Sequence, residues 1–283
     1  AIKLNPGVAK YYYNLAWAQT ELHYYDSAIE NYKKAIIIEP DYSGAQFKLS
    51  LIYLSRENFF EGWKNYEARI KIEEADNNQK KILNLNQWNG DKFDGILYVH
   101  GEQGVGDQIL HSSMITDLYK IHKNISLKVD SRFINLLKRS FKDIKIIGEE
   151  KNIKYNANDF HVLFGSLGKF FRKSINDFVE NPKPYIIPDP IRVNKYKKIL
   201  SQNNKIKVGI SWLSKGAKNK DRVLSLEQLS KILNLENFEF INLQYGDISV
   251  ERQLFTEKYD KEIISIDNLD LMDDFEGIAA VIS

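Results

Sequence analysis

The chain has no cysteine among its 283 residues. Disulfides, Cys-based zinc sites and iron–sulfur clusters are therefore excluded, and a reducing cytoplasm is the compartment expected. Long apolar runs are missing too. Nothing approaches the roughly 18 consecutive apolar residues of a transmembrane helix, and Ala1 to Pro6 lacks the basic region and apolar stretch of a signal peptide. There is no excess of one charge sign. Forty basic against 38 acidic residues leave +2, which argues against a nucleic-acid or membrane partner held by bulk charge. No Gly-x-Ser-x-Gly elbow and no P-loop are present, and no His, Asp or Glu spacing demands a metal. Proline is scarce, with six residues, yet Pro182, Pro184, Pro188 and Pro190 fall close together. That cluster reads as a stiff connector between compact units.

What is present is globular. A hydrophobic fraction of 43% with 12% aromatics supports a sizeable core, and the length suits roughly two domains. The first signal is a repeat. Ala1 to Pro6 lines up with Ala35 to Pro40 at an offset of 34 residues, the period of the tetratricopeptide (TPR) repeat. Between them, Ala16 and Ala28 are the small residues that let two helices approach. Tyr12, Leu15 and Tyr32 are expected to fill the groove, and Pro40 to end the second helix. A less regular unit follows through Phe47, Leu49, Tyr53, Phe59, Gly62, Trp63, Tyr66 and Ala68, with Gly62 standing where the first unit has Ala28. Residues 1–72 are therefore assigned to helical repeats and 73–95 to a polar linker.

The pattern then changes to strand, turn and helix. Ile96–His100 reads as a buried strand, Gly101–Asp107 as a glycine-rich turn, and Gln108–His122 as one amphipathic helix. Such a turn brings backbone close to a ligand and aims a helix N-terminus at an anion. Its G-x-x-G-x-G spacing differs from the dinucleotide fingerprint. A strand is expected at Ser126–Val129, a helix from an N-cap at Ser131 to Arg139, and strands at Ile144–Ile147 and Phe160–Phe164. After the prolines a second series begins. Strands are expected at Ile206–Trp212, Phe238–Leu243 and Ile263–Ile266, with helices at Ser225–Leu235 and from Asp273 onward. Alternation of this kind implies parallel sheets, whose ligands sit at the carboxyl ends of the strands. The fold class is α + α/β, with a first Rossmann-like lobe over 96–187 and a second over 188–283. The repeat alignment at the start and the helix at the end lead us to expect a longer protein at both ends.

His100 to His111 resembles the opening strand, loop and helix of TPR-linked glycosyltransferases related to the ADP-heptose heptosyltransferases. Gly62-Trp63-x-x-Tyr66-Glu67-x-Arg69 resembles their last repeat helix, and Val208–Trp212 through Asp221-Arg222 to Leu226 the start of their second lobe. The resemblance spans about residues 9–283 and is weak between about 140 and 200. It implies a GT-B fold, no metal or other cofactor, and inverting transfer of a sugar from a nucleotide-diphosphate donor to a saccharide or protein acceptor, with a possible protein partner on the repeats. It makes Asp107 the general base, with Gln103, Gly104 and Gly106 beside it. It places Ser211, Trp212, Lys215, Lys218 and Arg222 in the donor loop, Arg222 being the best match for the diphosphate, and Gln244 and Tyr245 near the nucleotide. A Ser/Thr-rich turn and a His that bind donor phosphate in the relatives would lie beyond Ser283, so residues 1–283 by themselves are expected to be inactive.

Other readings stay open. Asp107 at a helix start also suits a cap or dipole partner. His100 and His111 suit hydrogen-bonded structural histidines. A non-catalytic TPR scaffold with a degenerate α/β part is the main alternative. A nicotinamide oxidoreductase, with Asp130 as its ribose ligand, is disfavoured by the glycine spacing.

Overall fold

The computed structural model describes residues 1–75, 85–149, 152–178, 183–213 and 223–283. They form two compact units. The first comprises Ala1–Val129 and Ile144–Lys183, the second Asp130–Asp143 and Pro184–Ser283. The architecture is mixed, with helical hairpins and parallel sheets.

The first unit opens with helices α1 (Ala9–Glu21), α2 (Tyr25–Ile38), α3 (Ser43–Ser55), α4 (Phe59–Tyr66) and α5 (Arg69–Ala75). The starts of α1 and α3, and of α2 and α4, are 34 residues apart. The turns repeat as well. His23 and Glu57, again 34 apart, both take positive φ, and the next amide in each case donates back to the preceding helix, Tyr24 to Gln19 and Asn58 to Tyr53. Ala16, Ala28 and Tyr32 are fully enclosed, as close packing of adjacent helices requires. Leu15 departs from expectation at 39% exposed. It is about 100° around α1 from Ala16, which turns it off the packed face.

The sheet of this unit is wholly parallel. Its strands β1 (Asn86–Gln87), β2 (Leu97–His100), β3 (Ile125–Val129), β4 (Lys145–Gly148) and β5 (Phe160–Leu163) lie in the order β1-β5-β2-β3-β4. Strand β1 falls inside the stretch read as linker. It is followed by Trp88, which is buried against Phe170 and donates to Asp91. The expected single helix after the glycine turn is two, α6 (Val105–Ser112) and α7 (Ile115–Ile121). At the break, the Ser112 and Ser113 hydroxyls donate to the carbonyls of Ile109 and Leu110, a back-bonding that bends helices. Leu97, Val99, Leu127, Val129 and Val162 form the core with Ile115 and Leu118. A short helix, α9 (Gly168–Phe171), follows β5.

The second unit holds α8 (Ile134–Ser140), α10 (Pro190–Leu200), β6 (Ile206–Ile210), α11 (Leu226–Leu233), β7 (Phe238–Asn242), α12 (Ser249–Tyr259) and α13 (Phe275–Val281). Strands β6 and β7 are parallel, and Ile263–Ile266, expected as a strand, contributes one parallel bridge from Ile264 to Ile241. Side chains alternate across this sheet. Phe240 joins Trp212, Leu226, Leu233 and Phe255 on one face, and Ile241 joins Tyr196, Ile266 and Ala280 on the other. Ser225 caps α11 as expected, in a reciprocal capping box with Gln228. Ser131 is not a cap. Asp130 accepts from the Arg132 amide and starts a 3-10 turn that leads into α8. The last helix, expected from Asp273 onward, runs from Phe275 with Asp274 as its N-cap.

Candidate functional site

The strand order of the first sheet fixes where to look. From β2 the chain proceeds to β3 on one side, while β5 flanks β2 on the other. Open parallel sheets bind ligands beyond the carboxyl ends of the strands where the order reverses in this way. The glycine turn after β2 and the 3-10 turn Phe164–Leu167 after β5 meet at that edge.

A buried ion pair sits there. Arg69, 1% exposed, comes from the end of the helical array, and Glu102, 3% exposed, from the glycine turn. Arg69 donates through Nε to Glu102 Oε2 at 2.9 Å and through Nη2 to Oε1 at 2.5 Å. Glu102 Oε1 also accepts the Gly165 amide at 2.7 Å, and Arg69 reaches Ser166 Oγ, Glu67 and the Tyr66 carbonyl. A bidentate guanidinium–carboxylate pair with further partners is the form in which such charges tolerate burial. Burial pulls the Arg69 pKa down, but Glu102 and Glu67 together outweigh it and hold the guanidinium above its ordinary value. Burial pushes Glu67 up, yet Lys169, Ser166 and Arg69 hold its carboxyl below the usual range.

The predicted residues of the glycine turn surround this pair. Gln103 takes positive φ and accepts from the Tyr66 hydroxyl at 3.1 Å. Gly104 is the N-cap of α6, and Gly106 lies in its first turn, with open space where a Cβ would be. Asp107 is at the third helical position. Its Oδ2 accepts the Gly104 amide at 3.1 Å, and it makes no other hydrogen bond or ion pair among the described residues. The carboxylate is half-buried. His111, one turn further on, is buried with its ring edge-on to Trp63. Burial first, then Arg69, pushes its pKa down to about 4, against an opposing pull from Asp107. His100 ends β2, buried near His161, with Nε2 lacking a partner among the described residues. Burial, His161 and Lys128 push its pKa down to about 3.

In the second unit, Ser211, Trp212, Gln244 and Tyr245 come together at the carboxyl ends of β6 and β7. Gln244 is 1% exposed, and its Oε1 accepts the amides of Trp212 and Leu213 and the Ser211 hydroxyl. Its amide nitrogen donates to the Tyr245 carbonyl. Gln244 is therefore a clamp on the loop after β6. Trp212 is core, its indole N–H donating to Glu251 at 3.1 Å. Tyr245 lines a cavity of about 270 Å³ with Asn242, Gly246, Asp270 and Met272. Lys215, Lys218 and Arg222 lie outside the described residues. Asp130 is bound to Arg132 by side chain and backbone, which lowers its pKa.

Sequence reasoning did not single out the Arg69–Glu102 pair. A signal existed: an acidic residue in a glycine turn that aims amides at an anion needs a cation nearby. Among the described residues, no cluster of three or more His, Cys, Asp or Glu is placed to hold a metal ion, and no helix is long and apolar enough to cross a membrane.

No family model matches the chain. Among curated proteins, it is similar to Protein FlbA of Caulobacter vibrioides (strain ATCC 19089 / CIP 103742 / CB 15), 26% identical over 307 residues covering 99% of this chain. The chain spans about half of that relative, 51% of its length, and the similarity runs through both units.

Proposed function

We propose that the chain is part of a TPR-linked, GT-B-type glycosyltransferase that moves a sugar from a nucleotide-diphosphate donor to an acceptor hydroxyl without a metal. The observation that carries this reading is Asp107, a half-buried carboxylate at the switch point of a parallel sheet with a single hydrogen-bond partner. In the proposed mechanism it takes the proton from the acceptor hydroxyl as the oxygen attacks the anomeric carbon, and the nucleoside diphosphate leaves. Gln103, Gly104 and Gly106 shape the acceptor side. In the second unit, this reading assigns Tyr245 and the loop held by Gln244 to recognition of the donor nucleotide, and Arg222 and Lys215 to its diphosphate.

The test is Asp107→Asn in the full-length protein, assayed with UDP-, GDP- and ADP-sugars. Turnover is expected to fall by about 10²- to 10⁴-fold, the usual contribution of a general base, while calorimetry shows donor binding intact. Undiminished turnover would remove Asp107 from the mechanism.

One observation favours the scaffold reading. The space beyond the carboxyl ends of β2 and β5 is taken by the chain's own Arg69 and Glu102. A scaffold predicts that the full-length protein binds none of the three sugar nucleotides.

A further inference from the structure

Away from the carboxyl edge of the sheet, the first unit carries a cavity of about 520 Å³ between α4 and the segment around α9. Its size is that of ligand and side-chain pockets. Phe59, Phe60, Trp63 and Phe170 supply an apolar wall, and Lys64, Lys169 and Lys173 the cations. Phe60 is 61% exposed, a large ring left at the surface.

The groove is positive in net terms. Its one carboxylate, Glu67, is consumed by Ser166 and Lys169, each at 2.6 Å, and by Arg69. That leaves Lys64 and Lys173, both exposed and without an acceptor among the described residues. Two uncommitted ammonium groups beside an aromatic wall select for carboxylates flanking an apolar side chain.

Other ligand chemistries fit less well. A saccharide needs several directional hydrogen-bonding groups, but Glu67 is spent as described and Asn89 on Asp91, which leaves the buried Trp63 indole N–H as a single directional donor beside the flexible lysines. A nucleotide needs a backbone cradle for its phosphates. No glycine is among the residues lining this groove, so it offers no glycine-rich loop to wrap one. Phe59 and Phe170 are also engaged, on Phe178 and Trp88 respectively. A peptide side chain needs only apolar depth, and flexible lysines suit carboxylates of loose geometry.

We infer that this groove binds an acidic peptide segment of a partner protein, an apolar side chain entering beside Phe60 and Trp63 and flanking carboxylates meeting Lys64 and Lys173. The inference does not depend on the transferase reading, since neither Asp107 nor the second unit takes part.

The experiment uses the whole chain and a fluorescein-labelled twelve-residue peptide of Glu and Asp around a central Leu-Phe pair. Fluorescence anisotropy should show saturable binding that weakens with salt, as expected for exposed charges. Double charge reversal, Lys64→Glu with Lys173→Glu, should weaken it at least tenfold. Phe60→Ser should weaken it several-fold, and a peptide with Ala-Ala at its centre should bind as poorly. All three substituted residues are exposed, so thermal unfolding should be unchanged. Lys173→Glu alone, outside every helix and strand, gives a reading that cannot be confused with loss of α4. Equal binding by the charge-reversed chain, equal binding of a Lys-for-Glu peptide, or displacement of the peptide by UDP or ADP at these residues would each overturn the proposal.

Discussion

Arg69 and Glu102 show how a single side-chain pair can join elements far apart in sequence. Removing one member leaves a charge enclosed without its partner, which costs about 3–5 kcal/mol. Glu102→Ala is therefore expected to lose that much stability in urea unfolding. The double substitution Arg69→Met with Glu102→Leu should lose much less than the sum of the singles, because neither charge is then stranded. Additive losses would mean that the pair is not coupled. The histidines nearby make a second, independent prediction. Both His100 and His111 are held neutral by burial, with pKa values pushed to about 3 and about 4. An unfolded histidine titrates near 6.5, so below that pH the unfolded chain binds more protons than the folded one. Stability is then fully present above about 6.5 and is lost as pH falls toward 4, by up to about 1.4 kcal/mol per pH unit for each histidine. Urea midpoints measured between pH 7.5 and 4.5 should show this slope, and His111→Gln should flatten part of it.

At the scale of elements, Gly62 separates what periodicity shows from what packing decides. The repeat aligns it with Ala28, which suggests that alanine would serve. In the fold a Cβ at Gly62 would lie 2.7 Å from Leu54 Cδ2 and 3.2 Å from the Leu54 amide nitrogen. Gly62→Ala gains about 1 kcal/mol of helix propensity but overpacks the α3–α4 seam, a cost of about 1–3 kcal/mol. Thermal unfolding should therefore show a loss or no change, and a clear gain in melting temperature would show that the seam yields. The same contrast explains which elements were legible. The helical hairpins and the core strands carry apolar residues at a fixed period, and Leu97, Val99, Leu127 and Val129 stand where the pattern put them. Helices α10 and α12 left no such trace, because each buries a single residue, Tyr196 or Phe255. The split between α6 and α7 depends on two serine hydroxyls, which hydropathy does not register. The placement of Asp107 at a helix start was readable from the glycines before it. The spending of Gln244 on the loop after β6 was not, since it rests on partners 31 to 33 residues away.

Across the whole molecule, compactness does not follow chain order. Asp130–Asp143 belongs with Pro184–Ser283, so the second unit is built from two separate stretches. The joint is specific. Arg139 of α8 donates to both Glu276 oxygens, at 2.9 and 3.1 Å, and to the Ile187 carbonyl. Arg132 pairs with Asp273 at 2.6 Å, and the Phe133 ring packs on Phe275 at 4.6 Å between centroids. All four partners lie in or just before α13, or at the approach to α10. A chain of residues 184–283 alone would keep both of its strands and lose every one of these anchors. It would expose Phe275 and leave Glu276 without its guanidinium, while the faces of β6 and β7 stay covered by α11 and α12 on one side. It is therefore expected to be compact but loosely packed, with native-like far-ultraviolet dichroism, a weakened near-ultraviolet signal and binding of a hydrophobic dye. Adding a synthetic peptide of residues 130–143 should restore the near-ultraviolet signal and suppress dye binding, and the same peptide with Arg139→Ala and Phe133→Ala should not. A cooperative melt and a full near-ultraviolet signal from 184–283 without the peptide would show that α8 is dispensable to this unit.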